Sequence, residues 1–142
     1  AWYGDKDASY QYSNLSMCPL PWSPISLELK QKCENVSHCS FNSVLANLYR
    51  HGQDSMGRHA DNEPELGHQP VIASLSFGET RNLDFYHNGT KDKVRIPLHH
   101  GSLLIMSGDT QTYWQHSMAK TNQVRAARIN LTFRHIHKTA HP

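Results

Sequence analysis

The sequence predicts a mainly β fold with one flanking helix, closed as a double-stranded β-helix, the jelly-roll barrel. Three observations lead there. Only one stretch, opened by Ser23-Pro24, repeats apolar residues at helical spacing: Ile25, Leu29, Cys33 and Val36. From Val44 onward, short apolar or alternating runs recur, divided by Gly, Asn and Pro. Finally, 142 residues, 37% apolar and 18% charged, suffice for one real core, so a single domain over 1–142 is expected.

In chain order, residues 1–22 mix aromatic, polar and Pro residues without helical period, and Tyr10 and Tyr12 alternate as on a strand. Ser23 is a good N-cap and Pro24 suits the first helical position. The helix is expected to pack outside a sheet, with Lys30 and Lys32 on its solvated face. Val44–Tyr49 reads as a strand with Asn47 and Tyr49 on one face, His51–Arg58 as a polar loop, and Asn62–Gln69 as another. Val71–Phe77 reads as a buried strand. Asn82–His87 and Lys93–Pro97 flank Asn88-Gly89, a hairpin signal. Gly101–Met106, Thr112–His116 and Ala127–Arg134 complete about eight strands. The tail after Arg134, with His135, His137 and His141, is expected to fray.

The chemistry gathers around His59-Ala60-Asp61. On extended backbone these two side chains point the same way, offering an imidazole and a carboxylate to adjacent corners of an octahedral metal. A third ligand from a distant strand, His116, completes the facial triad of non-haem iron(II) oxygenases and leaves three positions open. The usual co-reactant at those positions is 2-oxoglutarate, whose far carboxylate needs a rigid cation. Arg128 and Arg134 are an even number of residues apart, so both face one side of a strand and offer guanidinium forks. Singly these features are weak in a chain with 11 histidines; their order carries the reading.

Asn47-Leu48-Tyr49, His59-x-Asp61, Trp114-Gln115-His116 and Arg128-x-Asn130-x-Thr132-Phe133-Arg134 resemble the AlkB family of iron(II)/2-oxoglutarate dioxygenases, nearest its nucleic-acid-repair members. The resemblance runs from about Trp2 to Arg134 and implies a jelly-roll dioxygenase core. It implies iron(II) on His59, Asp61 and His116, with 2-oxoglutarate held by Asn47, Tyr49, Arg128, Asn130, Thr132 and Arg134. Arg128 is expected at its keto-acid end and Arg134 at the distal carboxylate. The activity implied is hydroxylation of N-methyl groups on bases such as 1-methyladenine and 3-methylcytosine in DNA or RNA, with release of formaldehyde. Such a base must leave the stack. Tyr12 would stack on it opposite His59, Tyr10 would lie nearby, and Glu63 would select its positive charge. Asn62, Leu83 and Tyr86 depart from the family pattern, weakening charge selection and backbone contacts. Lys91, Lys93 and Arg95 stand on the hairpin, where a solvated role is expected. A lid segment that the family carries ahead of Trp2-Tyr3-Gly4 is expected to be short or missing.

A formal charge of +2 spreads no basic field over the molecule, so nucleic-acid binding would rest on a local patch. No run reaches the ~18 apolar residues of a membrane helix. Cys18, Cys33 and Cys39 do not pair off and lack a zinc spacing, as expected of free thiols in a reducing compartment. The sequons at Asn14, Asn35, Asn88 and Asn130 read as chance, since Asn130 falls inside the arginine strand. An intracellular monomer, in nucleus or cytoplasm, is the expectation. Two other classes fit the residues: an AlkB-type oxygenase that regulates RNA methylation or takes a non-nucleic-acid substrate, and a catalytically silent metal-binding barrel.

Overall fold

A computed structural model describes residues 1–8, 10–12, 15–123 and 125–137, with side chains omitted for 10–12 and 15–17. Among them run β1 (Trp2–Gly4), β2 (Tyr10–Tyr12), β3 (Leu15–Met17), α1 (Pro24–Ser37), β4 (Ser43–Tyr49) and β5 (Met56–His59). Then follow β6 (Ile72–Gly78), β7 (Arg81–His87), β8 (Lys93–Leu98), β9 (Leu103–Met106), α2 (Thr110–Tyr113), β10 (Trp114–Met118) and β11 (Arg128–Arg134). A larger sheet has the order β1-β4-β11-β6-β9 and a smaller one β5-β10-β7-β8, while β2 and β3 form a separate pair. The strand pairings are antiparallel. Two facing antiparallel sheets and one outer helix match the expected jelly roll. No helix among the described residues is long and apolar enough to cross a membrane.

Period-two alternation in β6 and β11 decides what lies between the sheets. Ile72, Ser74 and Ser76 of β6, and Arg128, Asn130 and Thr132 of β11, face the barrel interior. Ala73, Leu75 and Phe133 face outward under α1, where they pack with Cys33, Phe41 and Val44. Phe133 is fully buried, so truncating it to Ala would cost about 3–5 kcal/mol and unseat the helix. Inside the barrel a second apolar cluster joins Tyr49, Ile72, Leu83, Phe85, Leu98, Met106 and Met118.

The helix starts where Ser23-Pro24 predicts. Ser23 and Ser26 form a reciprocal capping box, and His38 ends the helix in the left-handed region at φ 57°. Its buried line differs from the expected stripe. Ser26, Leu29 and Cys33 face the sheet, while Ile25 and Val36 are 60% and 63% exposed. At about 100° per residue the four positions span only about 80°, but the docked face is rotated toward Ser26 and Cys33, which leaves Ile25 and Val36 at its edge in solvent. Lys30 is not on the solvated face: it pairs with Glu34 at 3.2 Å and lies 5.8 Å above the Trp22 ring. Lys32 is solvated, as expected.

Three other elements differ from the sequence reading. β5 forms inside the supposed polar loop because its backbone pairs with β10, His59 opposite His116 and Met56 opposite Met118. Such a strand has no local apolar signal. Residues 110–113 make a short helix, not a strand, so β10 begins at Trp114. The chain after Arg134 does not fray at once. Ile136 packs against Ala8 and Leu66, and its N–H and carbonyl are both bonded by the Asn42 amide at 2.7 and 2.8 Å. His141 lies outside the described residues.

Candidate metal centre and adjoining cavities

The pairing of β5 with β10 sets His59 directly across from His116, with ring centroids 4.5 Å apart. The Gly57 carbonyl lies 2.8 Å from His59 Nδ1, so Nδ1–H donates to it and Nε2 is left as the ligand atom. Nε2 points at Asp61 Oδ1, 3.6 Å away. One ligand atom from each of His59, Asp61 and His116 falls within 4.8 Å of the others, and no other such trio of His, Cys, Asp or Glu occurs among the described residues. Burial pushes the His116 imidazole down to about 4, with Asp61 opposing and His59 assisting, so it is neutral and basic enough to ligate near pH 7. Its Nδ1 is buried with no hydrogen-bond partner. Burial raises the Asp61 carboxyl, but the adjacent Arg134 outweighs it and holds Asp61 below the ordinary carboxylate value. Two imidazoles and one ionised carboxylate fit a divalent iron.

Asp61 is 6% exposed and held from two sides. Its backbone N–H donates to Gln111 Oε1 at 2.8 Å, and its carboxylate accepts from Arg134 Nη2 at 3.0 Å. Gln111, itself buried, sits on the short helix leading into β10, so it ties the Asp61 segment to the strand bearing His116. Nothing local in the sequence marks it.

Behind the triad lies a cavity of about 190 Å³. Asn47 and Tyr49 of β4 and Arg128, Asn130, Thr132 and Arg134 of β11 all line it, so the structure brings together every residue expected around 2-oxoglutarate. The two arginines stand at different depths. Arg134 sits at the triad, bonded to Asp61, while Arg128 is 2% exposed and lies deeper, over the Tyr49 ring at 5.0 Å. The cause is the strand itself. Even spacing puts both arginines on the inner face, but β11 crosses the cavity, and its C-terminal end is the one beside the metal. Arg128 donates to Ser76 Oγ at 3.0 Å and approaches Met118 Sδ at 3.7 Å; its Nε is buried and unpartnered. No carboxylate pairs with it among the described residues. Burial pulls its guanidinium below the ordinary value, against the favourable Tyr49 hydroxyl. A buried cation without an anion is costly, and a ligand carboxylate removes that cost.

Asn130 and Thr132 brace the wall. Asn130 Nδ2 donates to Ser74 Oγ at 2.8 Å, and Thr132 Oγ1 donates to Asn130 Oδ1 at 2.7 Å. Ser74 and Ser76 were missed in the reading of β6 as plain buried strand. Their alternation within an apolar run was the available signal for a polar inner face.

In front of the triad a second cavity of about 320 Å³ shares Leu45, His59, Asp61 and Arg134 with the first. Its further walls are Trp2, Leu66 and Ile136, with Glu63 and Glu65. Glu63 thus lines the cavity beside the triad, and Glu65 and Trp2, which the sequence reading does not single out, line it too. Asn62 is exposed and lines neither cavity. Tyr10 and Tyr12 lie in β2, but their side chains are outside the described residues. On the smaller sheet, Tyr86 packs under the Arg58 guanidinium at 3.6 Å, and Arg95 grips Asp84 through two bonds of 2.7 and 3.1 Å. Lys93 also reaches Asp84, at 3.8 Å. Arg95, itself exposed, is thus engaged in an ion pair with a buried carboxylate, not purely solvated.

The 2OG-Fe(II) oxygenase superfamily model matches residues 1–134. The chain is 48% identical over 96% of its length to bovine "Alpha-ketoglutarate-dependent dioxygenase alkB homolog 3", covering 51% of that protein. It is 42% identical over 96% of its length to human "DNA oxidative demethylase ALKBH2", covering 55% of it. The chain thus spans about half the length of these curated relatives. A solved structure titled "The structure of OsALKBH1" superposes with a TM-score of 0.60 at 19% identity, covering 82% of this chain and 67% of that one, which supports the fold. With the triad and the Arg128-to-Arg134 strand lining one cavity, the chain belongs to the 2OG-Fe(II) oxygenase superfamily, in its AlkB branch.

Proposed function

We propose that this domain carries out oxidative demethylation of N-methylated nucleobases in DNA or RNA. The observation that supports it best is the meeting of two cavities at one triad. The inner cavity has a buried, unpaired Arg128 suited to a dicarboxylate; the outer is lined by Trp2 with Glu63 and Glu65. The relatives, a DNA oxidative demethylase among them, support the same reaction here.

Iron(II) fits His59, Asp61 and His116. When bound with 2-oxoglutarate and dioxygen it supplies oxidation of an N-methyl group, giving succinate, carbon dioxide and formaldehyde. The chain's own residues do the positioning. Arg128 takes the distal carboxylate, with Tyr49 and Asn47 beside it, and Arg134 holds Asp61 and faces the keto-acid end. Asn130 and Thr132 keep the wall rigid through Ser74. In the outer cavity, Glu63 favours a cationic base over a neutral one, and Tyr12 is the residue to stack on that base opposite His59, with Tyr10 nearby. An intracellular location, nucleus or cytoplasm, accords with such a substrate.

Mass spectrometry tests this on 1-methyladenine and 3-methylcytosine oligonucleotides, single- and double-stranded, DNA and RNA, incubated with iron(II), ascorbate and 2-oxoglutarate. Conversion to the unmethylated base with stoichiometric succinate is expected. Succinate formation that no methylated oligonucleotide stimulates would overturn the reading in favour of another substrate.

A further inference from the structure

Away from the metal, a polar cavity of about 220 Å³ opens at one end of the smaller sheet, where β7 and β8 meet the loop after β10. Arg81, Arg95, Lys120 and Arg125 line it against a single carboxylate, Asp84. That carboxylate is already spent. Arg95 chelates it at 2.7 and 3.1 Å, and Lys93 stands 3.8 Å away. Glu79 accepts from the Ala126 N–H at 3.1 Å but is not part of the lining. In a chain with a formal charge of only +2, this is a strong local excess of positive charge.

The cavity is held in shape by its own bonds. Arg81 is 4% exposed and donates to the carbonyls of His51, Asp54 and Ala119 at 3.2, 2.9 and 2.9 Å, stitching two loops together. Thr121 N–H donates to the Gly52 carbonyl at 2.9 Å, and any Cβ at Gly52 would collide with the Thr121 carbonyl. Arg81 and Arg95 are therefore structural, while Lys120 and Arg125 are the cations left over. Arg125 donates from Nη2 to Gln123, but its Nε–H is buried with no partner. A rigid polar pocket with an unsatisfied guanidinium donor and surplus positive charge calls for an oxyanion.

We propose that this cavity seats a phosphodiester of the nucleic-acid backbone, with Lys120 and Arg125 as its cations. This rests on the nucleic-acid reading above. Phosphate contacts position a strand without reading its sequence, so the site would anchor methylated and unmethylated strands alike.

The test is the salt dependence of oligonucleotide binding to the whole chain. It compares the wild type with Lys120→Ala/Arg125→Ala, with the charge-keeping Lys120→Arg, and with Lys32→Ala on the distant helix. Each lost phosphate contact should lower the slope of log affinity against log salt by about one. The double variant, which loses the one seated phosphate, should therefore lose about one, equally for methylated and unmethylated strands. Lys120→Arg and Lys32→Ala should keep the wild-type slope, and 2-oxoglutarate turnover without nucleic acid should be unchanged throughout. If the wild type binds and the double variant keeps its slope, the cavity assignment alone falls. If the wild type shows no salt-dependent binding, the nucleic-acid reading falls first. Binding of inorganic phosphate that Lys120→Ala/Arg125→Ala removes, with oligonucleotide binding untouched, would assign the cavity to a free anion and overturn the proposal.

Discussion

Arg134 donates from Nη2 to Asp61 Oδ2 at 3.0 Å, so one of the two inward arginines of β11 is tied to the triad, while the other has no carboxylate partner among the described residues. This division of labour gives the two residues different phenotypes.

Arg128→Ala should raise the 2-oxoglutarate requirement a hundredfold or more, since stranding a buried charge costs about 3–5 kcal/mol. Arg128→Lys should rescue only in part, because a point charge cannot replace the fork. Arg134→Ala should instead weaken metal retention as well, through Asp61. Titrations of 2-oxoglutarate and of metal on both variants separate the two; equal effects on both would refute the assigned ends.

Gln111→Leu should leave the Asp61 N–H buried and unpaired, loosening the triad without touching either cavity wall. Support of this kind around a metal is worth roughly 10- to 100-fold in affinity. Competition with a chelating dye in the metal-loaded protein measures it. Gln111→Glu keeps the acceptor and should retain more affinity than Gln111→Leu.

His116 is neutral when folded, with its value pushed down to about 4 from the ordinary 6.5. The unfolded chain therefore takes up this proton first as pH falls. The associated stability is fully present above about 6.5 and is lost progressively down to about 4, an effect of up to about 3 kcal/mol. Urea unfolding of the metal-free protein should show this decline, and His116→Phe should flatten it over the same window.

Glu63→Gln should narrow the preference for a cationic base over a neutral one while keeping the shape of the outer cavity. Competition between 1-methyladenine and 1-methylguanine in one oligonucleotide context reads it directly. Glu65 lines the same cavity, so Glu63→Gln/Glu65→Gln should narrow the ratio further. An unchanged ratio in the double variant would remove charge as the basis of selection.

The barrel, its outer helix and the inward residues of β4 and β11 were legible because they rest on local patterns. Period-two alternation in β11 shows which side chains share a face, and a capping signal marks Ser23. What was hidden depends on distant partners. β5 is a strand only because β10 pairs with it, and Gln111 matters only because Asp61 lies across from it. The depth ordering of Arg128 and Arg134 was equally out of reach, since spacing gives the face of a strand but not which end approaches the metal.

The central claim is that His59, Asp61 and His116 hold the iron on which the chemistry depends. It is tested most directly by succinate formation in the presence of a 1-methyladenine oligonucleotide, wild type against Asp61→Ala, at saturating iron(II) and 2-oxoglutarate. The wild type should turn over and be stimulated by the methylated strand. Asp61→Ala should remain folded by circular dichroism yet form no succinate above background. Normal succinate formation by Asp61→Ala would contradict the account.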